Sequence, residues 1–296
     1  MGTFDGKGEA WWGKGAAAGD RPSALGFHGC KNLEINGTTH MNSPRSHIEV
    51  ENCNNATISN VNIIAPKDSP NTDGVIIALS KHVSVLKSSI ATGDDCISIK
   101  NGSYNINAMD VKCGPGHGIS VGSLGVGGSF ETVEYVHVRS CSFTNTLNGA
   151  RVKTWAGGAG YARNILFEDI TLSNSGNPII IDQHYCNGPH ICPEKGKAVE
   201  VSNVTFRGFH GTTATVEAIT LDCSKTKICS DIHIEHINIT LSPSSSYTDK
   251  DIRVSCNNAR GTASGLISPS DVPCFHQPPS PSPSYQDDDD DDEFFM

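Results

Sequence analysis

The sequence predicts an all-β protein, and more narrowly a single-stranded right-handed parallel β-helix that takes up most of its 296 residues. Three observations carry this prediction. Hydrophobic residues make up only 36% of the chain and charged residues 18%, whereas long helices need many Ala, Leu, Glu and Lys. Short runs of alternating Val and Ile are followed by Asn, Ser and Gly, as strands are by turns. These runs also recur along the chain.

The recurrence involves eight strand-like runs whose starts lie mostly 22 to 31 residues apart. They begin at Asn32, Asn55, His82, Tyr104, Tyr135, Arg163, Val201 and Asp231. Repeats of this length indicate a propeller, a leucine-rich horseshoe or a β-solenoid, and the sequence has neither a leucine-rich nor a WD signature. A solenoid in which each coil contributes two or three strands fits best, with inward Val and Ile as its core. An irregular β-sandwich is the alternative.

The negative charge is concentrated at the C-terminus. Residues 287–293 carry seven of the acidic side chains behind the net charge of −10, so the remainder is only mildly acidic. The chain has no basic stripe of the kind that binds nucleic acid and no apolar stretch long enough to span a membrane. We therefore expect a monomer without nucleic-acid or membrane partners. Residues 1–276 are predicted to form one catalytic domain, and the Pro/Ser-rich, acidic residues 277–296 a disordered tail.

Eleven cysteines indicate an oxidising compartment, and the absence of any CxxC pair argues against zinc. Close spacing suggests three disulfides: Cys186–Cys192, Cys223–Cys229 and Cys256–Cys274. The partners of three further cysteines stay open: Cys30, Cys53 and Cys141. Secretion also agrees with five N-x-S/T sequons, at Asn36, Asn55, Asn101, Asn203 and Asn238. The chain opens MGTFDGKGEAWW, which has no apolar signal sequence.

Four short motifs carry the candidate chemistry: NTDG with Asn71 and Asp73, GDDC with Asp94 and Asp95, GHG with His117, and RVK with Arg151 and Lys153. Asp73 and Asp94 are 21 residues apart, and Asp94 and His117 are 23 apart, which is one coil each. Residues one coil apart in a solenoid lie about 4.8 Å apart, so the acids and the imidazole should form one patch. The two cations of RVK alternate by two and should share one strand face.

Clustered carboxyl groups raise one another's pKa, so one can stay protonated while another is ionised. Glycoside hydrolysis needs that arrangement, because one acid protonates the leaving oxygen and another group activates water or attacks. Adjacent cationic side chains suit a substrate that itself carries carboxylates. Each motif alone has a plainer explanation, such as an Asp-Gly turn or a solvated strand edge. The four motifs together at coil spacing favour an enzyme.

In this order and spacing, the four motifs resemble the polygalacturonases of glycoside hydrolase family 28, from about Phe4 to Phe275. The likeness is greatest to plant members, including pollen and floral forms. It implies a pectin-lyase-like parallel β-helix that hydrolyses the α-1,4 bonds of galacturonan in pectin with inversion. It also implies a secreted cell-wall enzyme that uses no metal and no cofactor, with exo action slightly favoured over endo.

The resemblance also assigns roles to residues. It implies that Asp94 is the general acid, that Asp73 and Asp95 activate the water, and that His117 tunes the acid. Substrate binding is expected of Asn71, Arg151, Lys153 and Tyr185. A further disulfide is implied between Cys96 and Cys113, beside the acidic loop. Plant members usually carry a secretion signal and first coils before this point, and we expect these to be missing here.

Two other functions remain open at this stage. One is hydrolysis of rhamnogalacturonan or xylogalacturonan, because cationic side chains at the cleavage position do not exclude a decorated chain. The other is a non-catalytic wall-associated β-helix protein or allergen. Three mutually repelling carboxyl groups argue against such a scaffold, since a scaffold has no use for them.

Overall fold

The computed structural model describes residues 2–13, 21–186, 192–247 and 252–276. Over these residues the chain coils as a right-handed parallel β-helix, and all pairings between its strands are parallel, so the predicted fold class is confirmed. The tail predicted at 277–296 lies outside the described residues. None of the described helical turns is long and apolar enough to cross a membrane.

The first coils each contribute three strands, which stack into three parallel columns. The column that we call the edge column comprises β1 (Thr3–Asp5), β4 (Thr39–Met41), β7 (Asn62–Ile64), β10 (Ser89–Ala91), β13 (Lys112–Cys113) and β16 (Ser142–Thr144). The outer column comprises β3 (Lys31–Asn36), β6 (Asn54–Ser59), β9 (Lys81–Leu86), β12 (Ser103–Met109) and β15 (Phe130–Arg139). The site column comprises β2 (Leu25–His28), β5 (Ile48–Glu51), β8 (Val75–Ala78), β11 (Ile97–Ile99), β14 (Ile119–Leu124), β17 (Ala150–Trp155), β19 (Ile179–Tyr185), β21 (Glu217–Asp222) and β23 (Arg253–Asn257).

Later coils have two strands each, because one long strand replaces the outer and edge strands. These are β18 (Ala159–Ser175), β20 (Glu200–Thr213), β22 (Cys229–Leu241) and β24 (Ala259–Ser268). β18 pairs with both β15 and β16, so it joins the two columns into one sheet. Short 3₁₀ turns lie at Gly8–Ala10, Val126–Gly128 and Pro273–His276.

The predicted repeat corresponds to the outer column and its long successors. Each of the eight runs has a residue with left-handed backbone within two positions of its start: Asn32, Asn55, His82, Asn105, Tyr135, Asn164, Asn203 and Asp231. Asn and Asp tolerate that conformation better than most residues, which explains why Asn recurs at these bends. Their amides also bond from coil to coil, as Asn55 Nδ2 does to Asn32 Oδ1 at 2.7 Å.

The inward side chains form one continuous hydrophobic core along the axis. Alternate residues of each strand point inward, and Val75 and Ile77 of β8, for example, are fully buried. Farther along, the rings of Phe167 and Phe206 stack at 5.6 Å between centroids. The outward residues of the site column are thereby free to serve a surface site.

Three of the expected disulfides are formed: Cys96–Cys113, Cys223–Cys229 and Cys256–Cys274. Cys186 and Cys192 flank undescribed residues, and their thiols interact closely enough to raise the pKa of Cys186 to about 11. The bond expected between them stays a prediction. The other three cysteines carry no disulfide within the described ranges: Cys30, Cys53 and Cys141.

Candidate active site

The candidate residues lie where coils enter the site column. Asp73, Asp95 and His117 each stand two residues before β8, β11 and β14, whose first residues are register partners. The residue stacked on Asp73 is therefore Asp95, at a step of 22 residues, and Asp94 precedes it by one. The 21-residue step from Asp73 to Asp94 therefore ends one residue before the register partner of Asp73. Steps of 21, 22 and 23 residues look alike in sequence, and only hydrogen-bonded register separates them.

Asp95 is a buried carboxylate held by two cations. Only 1% of the residue is exposed. Arg151 Nη2 donates to its Oδ1 at 2.7 Å, Ser120 Oγ donates to the same oxygen at 2.9 Å, and Lys153 Nζ donates to Oδ2 at 2.9 Å. Burial alone raises a carboxyl pKa, but the charges of Lys153 and Arg151 outweigh it and hold the pKa of Asp95 well below its usual range. Asp95 is therefore ionised.

Asp73 has the opposite environment. It is 8% exposed, and its carboxyl group makes no hydrogen bond to the described residues. Burial, followed by the negative charges of Asp94 and Asp95, raises its pKa well above the usual value. The pKa values of two neighbouring carboxyl groups are thus shifted in opposite directions, because one group is paired with cations and the other is not.

Asp94 is the most accessible of the three acids, with 18% of its side chain exposed. Its Oδ1 accepts the backbone N–H of Asp95 at 2.8 Å and lies 3.0 Å from His117 Nδ1. Its Oδ2 faces Asn71 Nδ2 at 3.4 Å. One carboxyl oxygen is therefore well occupied, and the other has only the long contact to Asn71.

Tyr185 lies beside the cationic pair. The Lys153 ammonium is 5.3 Å from the centre of the tyrosine ring, which Trp155 meets edge-on at 5.5 Å between centroids. A register shift between Lys153 and Trp155 brings Trp155 opposite Tyr185. Burial raises the pKa of Tyr185, so its hydroxyl stays neutral. The structure thus brings all eight candidates to one face.

Several residues of this face were missed from sequence. Ser120 donates to Asp95 and accepts from Arg151 Nε at 2.9 Å, and Asn148 Nδ2 donates to the His117 carbonyl at 3.2 Å. Ser98, Ser120 and Arg151 are register partners, so their coil spacing was a usable signal. Trp155 was detectable only as an aromatic residue two positions after Lys153.

A second polar cluster follows on the next coils. The two ring nitrogens of His184 lie 2.8 Å from Asp222 Oδ2 and 2.9 Å from Glu194 Oε2. Because both nitrogens must donate, the ring is an imidazolium. Burial lowers the pKa of His184, but these carboxylate bonds raise it more. Glu194 also accepts the backbone N–H of Lys225 at 3.1 Å, so it anchors the segment after Tyr185 to the turn after β21.

The site also contains a group with the composition of a metal site. Ligand atoms of Asp94, Asp95 and His117 lie within 4.8 Å of one another. Both Asp95 oxygens, however, already accept from Arg151 and Lys153, so a divalent cation would stand beside two positive charges. The arrangement favours acid–base chemistry on an anionic substrate.

Comparison with known proteins places these observations in a family. The profile of Glycosyl hydrolases family 28 matches residues 1–264. A probable polygalacturonase of Arabidopsis thaliana is 46% identical over 264 residues, which cover 88% of this chain and 57% of the relative. A polygalacturonase of Cryptomeria japonica is 41% identical over 283 residues, covering 91% and 53%.

Among solved structures, the endo-xylogalacturonan hydrolase of Aspergillus tubingensis superposes with a TM-score of 0.72 at 27% identity. The match covers 89% of this chain and 74% of that one. The chain spans about half the length of the curated relatives it matches.

Proposed function

The chain belongs to Glycosyl hydrolases family 28, and from that membership we propose that it hydrolyses the α-1,4 bonds of galacturonan in pectin. The observation that carries the proposal is the pairing of an accessible acid with two buried acids whose pKa values are shifted in opposite directions. Asp94 is partly exposed, Asp95 has a lowered pKa, and Asp73 has a raised pKa. General acid–base hydrolysis requires carboxyl groups whose environments separate their protonation in this way.

We propose that Asp94 and Asp73 hold one proton between them at the start and at the end of each turnover. Before cleavage it sits on Asp94, which donates it to the leaving glycosidic oxygen. As the bond breaks, Asp73 takes a proton from the attacking water, for which a raised pKa makes its carboxylate a better base. The cycle ends with the proton from the water on Asp73, the state that burial favours in the free structure. The site resets when this proton moves to Asp94.

Asp95, to which the family resemblance also assigns water activation, supports this chemistry here as a fixed charge. Its oxygens are saturated by Arg151, Lys153 and Ser120, which makes it a poor nucleophile and argues for direct attack by water with inversion. The carboxyl groups of Asp94 and Asp95 have oxygens within 4.8 Å of each other, which is nearer to the spacing in retaining than in inverting enzymes. The anomeric configuration of the product is therefore a sharp test. Arg151, Lys153 and Tyr185 would receive a galacturonate carboxylate and ring beside the acids.

The mode of attack is a finer proposal. The resemblance to pollen forms favours exo action, in which the enzyme releases monomer from the chain end. The size profile of early products from polygalacturonate tests it: monomer from the outset supports exo action, and mixed oligomers contradict it. Parallel incubation with xylogalacturonan tests the alternative suggested by the Aspergillus tubingensis hydrolase. No cleavage of any of these polymers would favour a non-catalytic wall protein.

We also propose that residues 1–276 form the catalytic domain and that the protein acts as a secreted monomer in the cell wall. Three formed disulfides support an oxidising compartment. Expression in plant cells, followed by sizing of the secreted material, tests secretion and the monomeric state. Retention of the protein inside the cell would contradict secretion, and a dimer would contradict the monomer.

A further inference from the structure

Among the described residues, Arg21 is a buried cation without a carboxylate partner. It is 5% exposed and stands four residues before β2. Within the described ranges its guanidinium forms no ion pair, and its Nε is buried without a hydrogen-bond partner. A buried charge is costly unless hydrogen bonds replace its hydration, so the groups that accept from Arg21 determine what it does.

Its acceptors all belong to loops that enter the site column. Nη1 donates to the Pro44 carbonyl at 3.0 Å and to the Pro70 carbonyl at 2.5 Å, and Nη2 donates to Asn71 Oδ1 at 2.7 Å. The forked guanidinium of Arg21 thus ties the loop before β5 to the loop before β8 and binds the side chain of Asn71 in the site. These contacts reach 50 residues along the chain to Asn71.

The contact determines which way the Asn71 amide points. A guanidinium has donors only, so it can bind the amide oxygen but not the amide nitrogen. Nδ2 must then turn towards Asp94, where it faces Oδ2 at 3.4 Å. Without the guanidinium the amide could flip and present its oxygen to the carboxyl group instead.

We propose that Arg21 is a positioning residue that fixes the Asn71 amide and thereby the proton-donating oxygen of Asp94. This inference rests on the proposed function. Oδ1 of Asp94 is occupied by two donors, so the transferable proton sits on Oδ2. As the proton leaves, the Asn71 N–H faces the developing negative charge, and the Arg21 charge behind it strengthens that bond. The contribution therefore appears in kcat more than in KM.

The test is a double-mutant cycle with Arg21→Met and Asn71→Ala, assayed on polygalacturonate. Loss of alignment should lower kcat of Arg21→Met about 10- to 100-fold, with KM changed by less than about threefold. In the Asn71→Ala background the same change should lower kcat by less than about twofold, because the group through which Arg21 acts is gone. The control is Arg207→Met, which removes a cation on β20 that is paired with Glu168 on β18. It should leave kcat unchanged.

An equal loss of kcat in both backgrounds, or unchanged kcat in Arg21→Met, overturns the inference while leaving the proposed function intact. If Arg21→Met does not fold, Arg21→Lys gives the same comparison, because a single ammonium cannot hold both Pro70 and Asn71 as the fork does. If the unaltered protein cleaves no galacturonan, the proposed function fails. The inference is then judged on a crystal structure of Arg21→Lys, and an unmoved Asn71 amide overturns it.

Discussion

Lys153→Met removes one of the two cations that hold Asp95. The two charged atoms are 2.9 Å apart, and their side chains are 6% and 1% exposed, so water cannot replace the lost partner. Breaking a buried pair of this kind costs about 3–5 kcal/mol of unfolding free energy. Arg151 and Ser120 still hold the other oxygen of Asp95, which places the expected loss at the lower end, about 3 kcal/mol.

The stability deficit of Lys153→Met should depend on pH in a direction that follows from the pKa of Asp95. The folded-state pKa of Asp95 is lowered, so its contribution to stability is present above the unfolded value of about 3.9 and is lost as pH falls through the folded value. In Lys153→Met that pKa rises, because a buried carboxylate has lost a cation. The stability deficit should therefore be largest near neutral pH and should shrink on acidification, first as Asp95 is protonated in the folded variant and then as the wild type loses its own contribution below about 3.9.

Denaturant unfolding at several pH values measures the deficit, and KM for polygalacturonate in the same protein should rise. Lys227→Met is the matched control, since Lys227 and Glu200 are 2.7 Å apart but 48% and 40% exposed. It should cost less than about 1 kcal/mol. A deficit below about 1 kcal/mol in Lys153→Met, or one that grows on acidification, would refute the reasoning, and an unchanged KM would refute the role in binding.

Three further predictions follow from the same site. Asp73→Asn should lower kcat at least about 100-fold by removing the base. Because the raised pKa of Asp73 makes its ionisation costly in the folded protein, the variant should also be more stable than the wild type at high pH. Denaturant unfolding at pH 5 and 8 measures this gain, and no gain at pH 8 would contradict the raised pKa. His184→Gln should lose about 1.5–3 kcal/mol of stability below pH 6.5, and this deficit should fade as pH rises through the raised pKa of His184. His233→Gln on β22 should change the stability little. Trp155→Ala should raise KM about 2- to 10-fold by freeing the Tyr185 ring, and an unchanged KM would remove Trp155 from the substrate groove.

Most of the fold could be predicted because its signals are local and periodic. Inward Val and Ile and left-handed Asn recur once per coil, as Asn32 and Asn55 do. Each coil must bury its apolar side chains and turn at the same place, so each coil needs the same residue types. The site followed from the same period, since motifs one coil apart must meet. Its fine register did not, because the choice between Asp94 and Asp95 as the stacked residue depends on backbone pairing.

The contacts made by irregular segments could not be predicted at all. Arg21 reaches Asn71 across 50 residues, and Glu194 reaches Ser224 and Thr226 across 30 and 32, from loops that have no period. Nothing in the composition of those loops indicates which coil they contact. These segments are also where the protonation of His184 and the orientation of Asn71 are determined.

The most direct test of the account is the anomeric configuration of the first product from polygalacturonate, followed by proton NMR in the first moments of hydrolysis. Direct attack of water opposite an Asp94-protonated leaving group converts the α bond into a β product, so the β anomer should appear before mutarotation. Asp94→Asn should give no product in the same period, while Asp169→Asn, which alters an exposed acid on β18, should match the wild type. An α anomer at the outset, or full activity in Asp94→Asn, would contradict the account.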